Sequence, residues 1–307
     1  MSVVIDTVAG KATKFFPVKP ADHLPQGRMI DLPGRGGSTY VTDSAATGDS
    51  DPDAPAIILL HSVMTTGLMC WYATIPDLRE HFRVITLDQR FHGRGITSGS
   101  FTLDDCADDT VAVADALGVD TFIAGGFSLG GGTAQVTWQR HPDRVDGLVL
   151  ASTGPYFSGS RAVRADRVTR AVRAVTGRAL SHIPPIKQSK LADTDISTGA
   201  WLFRQFRATR FDRLADISDG MADFDSRDWL GEIDVPTSVV VSTHDHTVSP
   251  KRQQILVDSI PQAHRFDVPA GHACCVLEPD LFAPEFTRAA SDVAERVKSG
   301  PAQSRPA

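Results

Sequence analysis

The stretch Ile123–Gln135 reads IAGGFSLGGGTAQ. A single hydroxyl, Ser128, stands between Gly126 and Gly130, with an apolar run before it and a helix-like run after it. Glycine weakens strands and helices alike, so this density needs a geometric reason. TFIAGG reads as a strand and LGGGTAQVTWQR as the opening of a helix. Gly126-Phe127-Ser128-Leu129-Gly130 then falls at a strand-to-helix turn, the setting in which G-x-S-x-G makes a nucleophile elbow. Such a turn holds the serine at strained backbone angles and needs small residues two before and two after it. The hydroxyl projects at the carboxyl end of a sheet, where the first amides of the helix also point. A phosphate-binding glycine loop is the competing reading, but the stretch lacks the G-x-x-x-x-G-K-[ST] arrangement.

Outward from this turn, short β-branched runs alternate with helical stretches. The runs are RMIDL, TYVTD, AIILL, RVITL, TFIAGG, GLVLAS, TSVVVS and HRFDV. Those from AIILL onward read as strands buried on both faces. Residues 104–117 read as a helix with Cys106, Val113 and Leu117 near one face and acids toward its start. Residues 129–140, 250–258 and about 279–297 also read as helices. This alternation implies a parallel sheet with helices on both faces. Residues 153–230 break the rhythm. They contain no strand-like run, are rich in Arg, Ala and Asp, and carry helical spacing at Val168, Val172 and Val175. They read as a helical cap inserted into an α/β core of residues 28–152 and 231–298. Residues 1–27 read as an arm and 299–307 as a frayed tail.

A serine hydroxyl is a weak nucleophile until a base takes its proton. TSVVVSTHDHTVSP is a strand whose end carries Asp245, and HRFDVPAGHACCVLEPD is a later strand followed by a loop carrying His272. Both lie at carboxyl strand ends, on the rim that carries Ser128. Rival histidines are His244, His246, His264 and His92, each read as a surface or supporting residue. Asp223 and Asp225 are alternative acids from the cap side.

Composition narrows the class. The 307 residues carry a net charge of −6, with 41% apolar and 22% charged residues, which argues for an ordinary soluble domain and against a general nucleic-acid binder. The four cysteines, Cys70, Cys106, Cys274 and Cys275, show neither zinc spacing nor a disulfide framework, and read as buried or idle thiols. The N-terminus carries no signal-peptide pattern, and no apolar run is long enough to span a bilayer. A cytoplasmic location with no membrane partner is the expectation.

The segments ILLHSV, LDQRFHGRG, GGFSLGG, STHDHTV and AGHACCVLEP resemble the α/β-hydrolase superfamily over about residues 28–298. The resemblance is nearest to capped actinobacterial hydrolases of the esterase, perhydrolase and enol-lactone hydrolase type. It implies an α/β-hydrolase fold: an eight-stranded, mostly parallel sheet with a helical cap after the sixth strand. It implies Ser128 as nucleophile, Asp245 as acid and His272 as base, with no metal or organic cofactor. It also places an oxyanion hole at the backbone N–H groups of Leu129 and Val63. The chain departs from the family in having Ser62 where glycine usually follows His61, and Phe91 where the family often has glycine. Enol-lactone hydrolases also carry serine at the first position.

Within this reading, Ser62, Met64, Trp71 and Phe127 are candidate pocket residues beside the hole and elbow. Trp201 and Phe206 are cap aromatics that either line the pocket or form cap core. Arg161, Arg164, Arg167, Arg170 and Arg173 recur every third residue, which spirals around a helix and suggests a solvated face. The expected partner is a small-molecule ester or lactone, cleaved through an acyl-serine. C–C bond hydrolysis, perhydrolysis and acyl transfer share the same three residues. A low-turnover ligand-binding receptor on this fold is the rival from another class. Serine at the elbow argues against dehalogenases and epoxide hydrolases, which place a carboxylate there.

Overall fold

The computed structural model describes residues 24–157 and 197–299. The apolar runs become the strands β1 (Gly27–Leu32), β2 (Gly37–Asp43), β3 (Ala56–Leu60), β4 (Arg83–Leu87), β5 (Phe122–Phe127), β6 (Val145–Ala151), β7 (Thr237–Ser242) and β8 (His264–Val268). They form one eight-stranded sheet in the order β1-β2-β4-β3-β5-β6-β7-β8. β2 pairs antiparallel with both β1 and β4, and every later pairing is parallel. The described helices are α1 (Gly67–Trp71), α2 (Ile75–Leu78), α3 (Leu103–Ala116), α4 (Leu129–Arg140), α5 (Thr198–Phe206), α6 (Leu214–Asp223), α7 (Pro250–Ser259), α8 (Cys274–Leu277) and α9 (Pro279–Ser299).

Side chains alternate across a strand, so a run such as AIILL feeds two cores at once. Ile57 and Leu59 join one layer with Trp71, Phe127, Phe282 and Phe286, roofed by α9. Ile58 and Leu60 join the other with Ile85, Leu87, Leu148 and Val241. These four β3 side chains are fully buried. Each contributes about 1.5–3 kcal/mol relative to exposure. The reading of every run from AIILL onward as doubly buried fails at β8. That strand closes the sheet edge and exposes His264, Arg265 and Asp267, and such charges suit an unpaired edge.

Beyond β6 the chain leaves the sheet and returns beside its own exit. The Ser226 N–H donates to the Pro155 carbonyl at 2.8 Å, and Tyr156 bridges Asp225 antiparallel. α5 buries Trp201 and Leu202 in the same core as Tyr72, with the Trp201 and Tyr72 rings 5.9 Å apart. The five periodic arginines and Val168, Val172 and Val175 lie outside the described residues. Phe91 takes a left-handed backbone, φ 63°, the region glycine favours. Burial of its ring beside Phe101, under the Arg213 guanidinium 4.2 Å away, offsets a strain of about 1–3 kcal/mol.

Candidate active site

Ser128 sits between β5 and α4 at φ 53°, ψ −114°. The surroundings over-determine this strained conformation. Its N–H donates to the Ala151 carbonyl at 2.9 Å, while its carbonyl accepts from Thr153 Oγ1 at 2.7 Å and the Gly131 N–H at 2.9 Å. The flanking glycines are required sterically. A Cβ on Gly126 would overlap the Gly130 carbonyl, and one on Gly130 would overlap the Leu60 carbonyl. Gly130→Ala is therefore expected to destabilise the fold by about 3 kcal/mol or more, since backbone cannot step aside as a side chain can. Gly271→Ala, beside His272 but with open space around it, is expected to be near neutral. Urea unfolding of the two variants checks the contrast.

The loops after β7 and β8 stay paired beyond their strands. The Thr243 N–H donates to Val268 and the His244 N–H to Ala270, which carries Asp245 and His272 to one rim. Ser128 Oγ lies 3.0 Å from His272 Nε2, and His272 Nδ1 lies 2.6 Å from Asp245 Oδ2. The carboxylate selects the tautomer with a proton on Nδ1, leaving the Nε2 lone pair to accept the serine proton. Asp245 is buried, and its other oxygen accepts from the Thr247 N–H at 2.7 Å and the Val248 N–H at 2.9 Å. Gln253, fully buried, adds a donor to Oδ2 at 3.3 Å. His272 keeps 20% of its side chain exposed, so the ring faces both Ser128 and solvent.

Leu129 is the first residue of α4, where an N–H has no intrahelical acceptor. Val63, half-buried, packs against the cluster that contains Leu129. Among the described residues neither amide enters a backbone hydrogen bond. Ser62 is nearly buried, and Met64 takes φ 60° just after Val63. Phe127 lies against His272, ring centroids 5.8 Å apart. Trp71 is interior, 4.7 Å from the Phe286 ring, and Trp201 is equally buried. Phe206 is half-buried against Phe211, 5.5 Å away.

Asp223 and Asp225 line a separate groove of about 710 Å³ with Asp216 and Asp219, and Asp225 holds Arg227. The carboxylate on His272 is Asp245. His264 pairs with Asp292 at the surface. His92 is no surface residue: it is buried, 5.1 Å from the ring of His61. All four cysteines are buried and free, and burial pushes the Cys274 thiol up to about 11. No helix among the described residues is long and apolar enough to cross a membrane.

Burial lowers His61 to about 4 and, with His61 beside it, His92 to about 3. Unfolded histidines take up a proton near 6.5, so between that pH and about 4 the unfolded chain binds more protons than the folded one. The stability these neutral rings supply is complete above pH 7 and is lost as pH falls to about 4. For His61 alone the loss is about 3 kcal/mol. Asp88, raised by burial, acts in the opposite sense. The slope of unfolding free energy against pH from 6.5 to 4.5 is expected to be positive and to shrink in His92→Asn. A flat profile in the parent chain contradicts this.

The family profile described as alpha/beta hydrolase fold matches residues 55–181. A protein of Agrobacterium fabrum named "Putative carbamate hydrolase RutD" is 31% identical over 250 residues, covering 76% of this chain and 92% of that one. The 3-oxoadipate enol-lactonase 1 of Acinetobacter baylyi is 25% identical over 243 residues, 76% and 88% of the two chains. Among solved structures, a hydrolase from Pseudomonas aeruginosa superimposes with a TM-score of 0.69 at 25% identity, covering 88% of this chain and 98% of the other. With this sheet order and this elbow, the chain belongs to the α/β-hydrolase superfamily and is a hydrolase of that family.

Proposed function

We propose that the protein hydrolyses a small carboxylic ester or lactone through an acyl-serine intermediate. His272 Nε2 takes the proton of Ser128 Oγ as that oxygen attacks the substrate carbonyl carbon. Asp245 holds the imidazole in the required tautomer and stabilises its charged form. The N–H groups of Val63 and Leu129 receive the developing oxyanion. The tetrahedral intermediate collapses, and the protonated His272 gives its proton to the leaving alkoxide. Water, deprotonated by His272, then attacks the acyl carbon and releases the acid and the free serine.

The observation that carries this reading is the continuous run Ser128 Oγ–His272–Asp245, at 3.0 and 2.6 Å, on a serine held in a strained turn. The enol-lactonase relative favours a lactone within the ester class, and the RutD relative extends the range to a carbamate. Phe127, its ring against His272, sets an apolar face beside the base.

The test has two arms. A fluorophosphonate probe is expected to label the native protein at Ser128, located by peptide mass spectrometry. A chain-length series of aryl esters, run beside several lactones, is expected to show saturable hydrolysis of at least one member. Absence of labelling, or labelling at another residue, overturns the proposal. Labelling without turnover, together with ligand-induced thermal stabilisation, points to a receptor.

A further inference from the structure

The nucleophile and the Val63 amide lie on different segments, the turn that opens α4 and the loop between β3 and α1. An oxyanion hole split in this way works only if the two are held in register. The Ser62 carbonyl and the Val63 N–H belong to one planar trans peptide, so they point in opposite directions. That carbonyl accepts from His61 Nδ1 at 2.7 Å, from Thr65 Oγ1 at 2.8 Å and from the Thr65 N–H at 3.4 Å. These bonds turn the Val63 N–H away from the His61 ring. They also oppose a flip that would put a carbonyl where a donor is needed.

His61 can donate from Nδ1 because its other nitrogen is occupied as an acceptor. The Gln89 N–H donates to His61 Nε2 at 2.9 Å, which selects the tautomer. The Gln89 side chain then makes two further bonds. Its Nε2 donates to the His61 carbonyl at 2.7 Å, and its Oε1 accepts from Thr133 Oγ1 at 2.9 Å. Thr133 lies one turn into α4, the helix that begins beside Ser128. Gln89, His61 and Thr133 are all buried. The neighbouring Asp88 fixes the far end of the same loop by accepting from the Gly67 N–H at 2.9 Å. With His61 held neutral by burial, the tether persists through the neutral and mildly acidic range.

We propose that Gln89 is a positioning residue that, through His61, holds the Val63 amide in register with the nucleophile helix. This rests on the acyl-serine reading above and adds the part that sets the hole. Gln89 touches no reacting atom. Its effect is on transition-state charge, so it should appear in kcat and leave substrate binding alone.

The test compares Gln89→Met, Thr133→Val, His61→Leu and His61→Asn with the parent chain. Losing a whole oxyanion donor typically costs about 10²–10³ in turnover, and a misaligned donor should cost part of that. Gln89→Met is expected to lower kcat about 10–100-fold with KM changed less than about threefold. Thr133→Val, which cuts one link, is expected to lose about 2–5-fold by the same argument. His61→Asn, whose amide N–H can replace Nδ1–H, should recover most of what His61→Leu loses. Inhibition by a trifluoromethyl ketone, which forms an oxyanion adduct on serine, should weaken in parallel with kcat/KM. Inhibition by the product acid should not.

Unchanged kcat in Gln89→Met overturns the proposal. So does a loss of kcat with no matching loss of ketone affinity, since a merely structural defect would give that pattern. If Gln89→Met does not fold, Thr133→Val and the Asn/Leu contrast at position 61 decide in the same way. A parent chain that the fluorophosphonate does not label at Ser128 sinks the underlying function. A labelled, active parent with an equally active Gln89→Met sinks this inference alone.

Discussion

On the proposed acyl-serine route, Ser128→Ala is expected to lower kcat on the best ester or lactone by about 10⁶-fold, the scale seen when a serine hydrolase loses its nucleophile. The variant keeps every backbone bond that holds the elbow, because Ala151, Thr153 and Gly131 all contact the main chain of residue 128. Alanine removes the Oγ and leaves the strain at φ 53° in place. The expected pattern is a folded protein of near-parental thermal stability, no fluorophosphonate adduct, and a small residual rate from the remaining amides. A residual rate within tenfold of the parent would mean that another group performs the attack, and the acyl-serine route would fall. Stopped-time assays at high protein concentration, with the variant expressed free of parent enzyme, give the needed range.

Asp245→Asn comes next, with an expected loss in kcat of about 10⁴-fold. The shape is conserved, and the Thr247 and Val248 amides still have an acceptor in the asparagine carbonyl oxygen. That leaves the side-chain NH₂ facing His272 Nδ1. Two donors cannot share a hydrogen bond, so the imidazole moves its proton to Nε2 and presents a donor to Ser128 where an acceptor is needed. KM should change little, because the carboxylate is buried and bonded to His272 and to backbone amides. The loss should ease at high pH, where hydroxide competes as base. Activity within tenfold of the parent would show that the acid acts from elsewhere, Asp223 and Asp225 being the alternatives that the sequence leaves open.

Much of this site could be read along the chain because it is built from local patterns. β3, β5, β6 and β7 are apolar runs bounded by turns, and burial on both faces leaves no polar alternation to confuse them. Ser128 and Asp245 each follow such a run and His272 follows the neighbouring strand β8, so the sheet gathers all three at one rim whatever lies between. β8 misled because its five residues are HRFDV, and an edge strand needs fewer apolar faces.

Other features had no local signal. α1 and α2 are too short to form on their own and are held by tertiary contacts. Gln89, His61 and Thr133 meet across 28 and 44 residues of chain, and Gln253 reaches Asp245 only because α7 folds back over β7. Trp71 was a pocket candidate by its nearness in sequence to Ser62. The structure turns it inward onto Phe286 of the C-terminal helix, a partner that no spacing rule announces. At Phe91 the glycine common in the family signalled a left-handed position, but the groups that hold a phenylalanine there, Phe101 and Arg213, come from other elements.

The narrow neck at Pro155 and Ser226 has a consequence for how such chains diversify. Departure and re-entry lie one hydrogen bond apart, so a segment joined at these two points has no gap to span. A foreign segment of different length can be grafted there without stretching the strands on either side. Exchange is favoured over excision, since a bare deletion would uncover Tyr72 and leave Thr66 Oγ1 without Gln205, its acceptor at 2.8 Å. Change at this neck would therefore come by transplanting one stretch of chain while the sheet stays put.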